Sequence, residues 1–267
     1  MNKLNNLTVK KSLKQKLEEH YKYFDKTKIS PDPLEFPRQY TNLKDIEISA
    51  FISSIFAYGN IKQIMNILSA LHRKMNDKPA EFLKEYSDKR GKDLFENIKY
   101  RFYSSADIVL LFDVLSLAYK QYGSLEEMFM KNYSEADTSI KNTLELFSLK
   151  LLGFAEETGE VTNGIKFMFP LPSKGSTCKR MNLFLRWMIR NDELDFGIWN
   201  KIKTSQLIIP VDTHVAKISK ELKLTTLKNP TWKMAEQITD KLKSFDYVDP
   251  VKYDFAICHI GMRKIKF

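Results

Sequence analysis

The chain has 267 residues, enough for one large domain or two smaller lobes around a sizeable core. Its 43% hydrophobic and 28% charged residues fit a soluble globular protein, and its two cysteines exclude a disulfide scaffold or a four-cysteine cluster. A net charge of +10 points to a polyanionic partner, nucleic acid ahead of a membrane surface.

The first 16 residues are polar and lysine-rich, with no apolar core of a signal peptide. Leu13, Leu17, Tyr21 and Phe24 then form a helical stripe. Pro31, Pro33 and Pro37 predict an extended connector. Phe51, Ile52, Ile55 and Phe56 make a second stripe, and Ile61, Ile64, Leu68, Leu71 and Met75 a third, with Gly59-Asn60 as a tight turn between them. Ser105 is placed to cap a helix running from Ala106 to Tyr122. Ile140, Leu144, Phe147 and Leu151 form a further stripe. Residues 156–176 carry three glycines and two prolines and read as the longest loop; any strand should lie there, around 165–169. Trp232, Ala235, Ile238 and Leu242 form the last stripe, and another helix begins near Asp249-Pro250. No series of alternating strands is present, so the class is mainly α. No run of about 18 apolar residues predicts a membrane span. A cytoplasmic location is expected.

Two segments carry chemistry. Residues 171–190 read LPSKGSTCKRMNLFLRWMIR, with five cations and no acid. Gly175, Ser176 and Thr177 stand just before a helix whose apolar side holds Leu183, Leu185, Trp187 and Met188. Open amides at a helix start, flanked by cations, suit a phosphate; a capped helix with a solvated basic face fits the same residues. Residues 207–222 read LIIPVDTHVAKISKEL. Pro210 holds the approach extended, and Asp212 falls at the N-cap of a helix carrying Val215, Ile218 and Leu222. A capped carboxylate is held in one place, as stabilising a developing cation requires, although Asp is also an ordinary cap. His214 follows it, placed either to touch a phosphate or to bond locally.

Taken together these segments resemble the helix-hairpin-helix (HhH-GPD) DNA glycosylase superfamily. The run GSTCKRMN, from Gly175 to Asn182, resembles the hairpin motif that carries the superfamily's lysine, and VDTHV, from Val211 to Val215, resembles the segment that carries its aspartate. Residues 46–75 resemble the helix pair whose turn inserts into DNA, and 106–122 the helix ahead of the hairpin. The motifs K-R-x-x-x-F-L-R-W-M and I-P-x-D-T-H-V also resemble those of a widespread bacterial family. Several departures stand out. Thr177 replaces the second hairpin glycine, and the hairpin is two residues longer than usual. Tyr58-Gly59-Asn60 stands where a glutamine-rich wedge is common, and the cysteines of the C-terminal iron–sulfur cluster are missing. Lys179 and Asp212 lie 33 positions apart, a wide spacing similar to that of archaeal 8-oxoguanine DNA glycosylase.

The resemblance implies a two-lobed helical fold with a central cleft. One lobe would span 43–206; the other would combine 1–42 with 207–267. It also implies a monomer acting on double-stranded DNA that contains a damaged base, with no cofactor and no metal. Lys174, the amides of Gly175, Ser176 and Thr177, Arg180, His214 and Asn60 would contact DNA. Lys179, as a neutral amine, would attack the sugar C1′ of an extruded nucleotide and expel a damaged purine, 8-oxoguanine being the first candidate. The resulting Schiff base would allow β-elimination at the abasic site. Asp212 would stabilise the cationic sugar. Asp254, Phe255 and His259 would line the base pocket. Two other readings remain open at this stage: a DNA- or RNA-binding module without catalysis, and a helical protein-interaction scaffold.

Overall fold

The computed structural model describes residues 11–263. It is mainly helical, and no named strand occurs among the described residues; only the isolated bridges Tyr100–Tyr103 and Asn191–Phe196 have β pairing. Helix α1 (Leu13–Tyr23) starts with a reciprocal cap between Ser12 and Gln15. The proline connector folds instead of extending. Pro33 and Pro37 each open a 3-10 turn, Pro33–Glu35 and Pro37–Gln39, at the position where a missing N–H is harmless. Asp32 caps the first of these turns.

α2 (Leu43–Phe56) is buried nearly all round, so apolar residues occur on every side of it. Asn60 caps α3 (Ile61–Lys74). Next come α4 (Pro79–Lys84), α5 (Asp88–Phe95) and α6 (Ser105–Tyr122). The cap of α6 is Ser104, one residue ahead of the Ser105 expected, because Ser104 and Asp107 bond each other's backbone N–H groups. After α7 (Leu125–Met130) and α8 (Lys141–Thr158), a short helix α9 (Asn163–Met168) stands where the sequence left room for a strand. Thr162 caps it, and Ile165 and Met168, three apart, are its buried side. The remaining helices are α10 (Lys179–Ile189), α11 (Thr213–Glu221), α12 (Trp232–Lys243) and α13 (Asp254–Arg263), the last entered through the 3-10 turn Pro250–Tyr253.

α2 is the hub. It packs on α3, α4, α10 and the turn Pro37–Gln39. Phe51 meets Phe184 of α10 edge-on at 5.1 Å, and Phe184 meets Trp199 at 5.2 Å. Glu47 is buried in the same region. It accepts from Trp199 Nε1 at 2.9 Å, from Leu125 N at 2.8 Å, from Glu126 N at 3.1 Å and from the Tyr119 hydroxyl, so it fastens the start of α7 to α2. α6 packs between α5 and α8, while α13 packs on α11 and α1. This arrangement brings the first turn of α10, the last turn of α2 and the α11–α13 pair to one place.

Candidate active site

The hairpin before α10 is built from backbone. Residues Pro172–Lys174 form a 3-10 turn closed by Gly175 N–H donating to Pro172 O at 2.9 Å. Gly175 has φ +80°, the left-handed conformation that a side chain disfavours. Cys178 is also left-handed, at φ 49°, and takes the N-cap position of α10 without a side-chain cap. Its N–H donates to Ser176 Oγ at 3.1 Å, and Asn182 Nδ2 donates to Thr177 O at 3.0 Å. Together these contacts set Lys179 as the first residue of the helix. Its Nζ donates to Ala57 O, just past the end of α2, at 2.9 Å.

Asp212 is the N-cap of α11, as its spacing predicts. Its Oδ1 accepts from both His214 N and Val215 N at 2.9 Å. Lys179 and Asp212 line the same cavity, of about 940 Å³. Ser176, Thr177, Arg180, Asn60, His214, Asp254, Phe255 and His259 also line it. Lys174 and Gly175 are exposed and are not among its lining residues.

Several of these side chains are committed to partners that the sequence did not suggest. Arg180 is buried, lies 3.7 Å over the Phe167 ring and donates to Phe167 O, so it braces α9 instead of reaching solvent. Arg186 and Arg190 do not form a solvated basic face either. Arg186 pairs with Asp195 at 3.1 Å and with Asp254; Arg190 pairs with Asp249 and Asp192 at 2.8 Å and with Asp195. Burial opposes the charge of both arginines, but Asp195 with Asp254 or Asp249 outweighs it, and both are held above the usual guanidinium range. The network ties α10 to the start of α13.

Asp254 is therefore a buried partner of Arg186 at the cavity wall. Burial pushes its carboxyl up to about 6, with Arg186 and Lys179 opposing and Asp212 reinforcing the shift. The Phe255 ring stacks on His259 at 4.1 Å and meets Phe24 edge-on at 5.1 Å, so its faces are largely occupied by neighbouring side chains. Asn60 spends its side-chain oxygen on Lys62 N, capping α3.

The sequence reading missed three contributors. Asp32 lines the cavity from the N-terminal connector, and burial pushes its carboxyl up to about 6 against the pull of Leu34 N–H, Arg186 and Lys179. Asp32-Pro33 does read as a turn cap, but nothing local places it beside residues about 150 positions later. Cys258 of α13 also lines the cavity; burial, Asp212 and Asp254 raise its thiol, and Lys179 opposes them. The third is an aromatic rim. Tyr58 and Phe167 line the cavity, and Phe102, 66% exposed, stacks parallel to Tyr58 at 6.2 Å. Arg101 sits over Tyr58 at 5.4 Å and Phe102 at 5.7 Å, on a tight turn closed by paired Tyr100–Tyr103 backbone bonds of 2.9 and 2.8 Å. Gly59 is needed there: at φ +105°, an added Cβ would come within 2.9 Å of Arg101.

Among the described residues the cavity thus joins one amine, three carboxylates and an apolar wall that includes the rings of Tyr58 and Phe167. That set can hold a planar polar ligand, deliver a nucleophilic amine and exchange protons. No curated protein and no solved structure matches the chain. The match with the family described as protein of unknown function (DUF2400) spans residues 32–263, from the Asp32 turn to the end of α13, and the chain belongs to that family.

Proposed function

We propose that this protein is a DNA base-excision glycosylase with abasic-site lyase activity, on a two-lobed fold of the helix-hairpin-helix glycosylase type. The observation that carries the reading is the meeting of Lys179 and Asp212 in one cavity, from the starts of two helices 33 positions apart. A nucleotide extruded from duplex DNA would enter past Tyr58 and Phe167. The Lys179 amine would leave Ala57 O, attack C1′ and displace the damaged purine. Asp212, fixed by its two amide donors, would face the positive charge that develops on the sugar. The lysine–sugar Schiff base then permits β-elimination of the 3′ phosphate.

The test is covalent capture. Duplex oligonucleotides carrying single damaged purines or an abasic site are incubated with the protein and borohydride. Wild type is expected to form a reduced adduct, and Lys179→Gln to form none. An adduct that survives Lys179→Gln moves the nucleophile elsewhere, and no adduct on any duplex removes the lyase. One observation favours a binding-only module: the Lys179–Ala57 bond joins α10 to α2, a purely structural use for the amine. On that reading the protein binds DNA or RNA and traps nothing.

A further inference from the structure

Three carboxylates line the Lys179 cavity, and two of them have a visible occupation. Asp254 is bonded to Arg186, and Asp212 receives the first amides of α11. Asp32 has no ion pair among the described residues; its carboxylate caps a three-residue turn, accepting Leu34 N–H at 2.8 Å on Oδ1 and, in a reciprocal cap, the N–H of Glu35. It stands on a connector and lines the cavity together with the groups that the other elements bring: Lys179, Arg180 and Arg186 from α10, Asp254, Cys258 and His259 from α13, and Asp212 and His214 from α11, with Glu35 on its own turn. Lysine displacement of a base needs such a group, because the departing nitrogen takes the bonding electron pair and must be protonated.

We propose that Asp32 is the general acid of this cavity, protonating the base as Lys179 displaces it. The assignment rests on the glycosylase reading above. In the step, Lys179 N forms a bond to C1′ and the C1′–base bond breaks. The electron pair passes to the base nitrogen, which takes the proton of the Asp32 carboxyl. The new secondary ammonium on Lys179 returns a proton to the Asp32 carboxylate, so the group is restored and no outside reactant is consumed. Burial supports the role by holding the Asp32 carboxyl protonated up to about pH 6, roughly two units above an ordinary aspartic acid.

Asp32→Asn tests this and keeps the turn, since Asn caps as well as Asp. Two reactions are compared: base release from duplexes carrying a panel of single damaged purines, 8-oxoguanine included, and borohydride trapping on a preformed abasic duplex, which has no base left to protonate. Asp32→Asn should slow base release about 100-fold, in the range of a lost general acid, and trap on abasic DNA like wild type. Wild-type base release should fall tenfold per pH unit above about 6, and the variant should lack that limb. Three outcomes overturn the assignment: unchanged base release in the variant, an equal loss in both reactions, or a wild type that traps abasic DNA yet releases no base. A wild type that does neither overturns the glycosylase reading itself.

Discussion

His72 shows how far a single side chain departs from its surface behaviour. Its Nδ1 faces Leu68 O at 2.8 Å and its Nε2 faces Ser49 Oγ at 2.8 Å, an arrangement suited to a neutral ring that donates from Nδ1 and accepts at Nε2. Burial lowers its pKa to about 4. The unfolded chain binds a proton near pH 6.5 and the folded chain does not until about 4, so acid favours unfolding throughout that window. The stability that neutral His72 contributes is complete above pH 6.5 and is lost as pH falls to 4, by about 3 kcal/mol in all. His72→Phe keeps a ring beside Phe36 and removes the titration. Urea midpoints measured from pH 7 to 4 should fall less steeply for the variant, whatever its stability at pH 7; parallel curves would refute the argument. The same scale marks where sequence reading stops. Lys179 and Asp212 stand out because a hairpin and a cap are local patterns. The fate of Arg186 is not local, because its partners are Asp195 and Asp254, the latter 68 positions away. A run of five cations therefore looks like a phosphate-binding face, while all three of its arginines are spent inside the protein.

Among the elements, the long helices were legible and the short ones were not. α3 and α12 each bury one side, so their stripes appear at steps of three and four. α9 has six residues, under two turns, too few for periodicity to separate helix from strand, and only the Thr162 cap distinguishes it. The proline connector has the same difficulty, since a proline at the first position of a 3-10 turn and one in an extended stretch have the same sequence. α11 gives the element-scale test, because its cap is also the proposed catalytic carboxylate. Asp212→Ala removes the acceptor of two amides and should cost about 1 kcal/mol in chemical denaturation, whereas Asp212→Asn should stay within a few tenths. If Asp212 also stabilises charge on the sugar, Asp212→Asn should lose base excision while keeping its stability. A stable Asp212→Asn with full excision would leave Asp212 a cap and nothing more.

For the whole molecule, the net charge of +10 is a weaker guide to nucleic acid than it first looks. Arg180, Arg186 and Arg190 are inside, so any attraction for phosphate must come from other, exposed cations. Beside the cavity lies an aromatic cluster: Phe102 and Phe167 exposed, Tyr58 packed against both and Arg101 over two of the rings. Burial of large apolar side chains is the rule here, and Phe102 breaks it on a tight turn held by its own backbone pair. An exposed ring held rigid next to a cavity suits stacking on a base, worth about 1–3 kcal/mol per contact. If a nucleotide leaves the duplex to reach Lys179, the neighbouring base loses a stacking partner that Phe102 can replace. Phe102→Ala should then weaken binding to a duplex with a stable abasic analogue by roughly 5-fold to 150-fold, as stacking energies of that size require. Because no phosphate contact is removed, the slope of log affinity against log salt should stay as in wild type. Fluorescence anisotropy at several salt concentrations measures both. An altered slope would place Phe102 in backbone contact, and unchanged affinity would remove the rim from the DNA-binding surface.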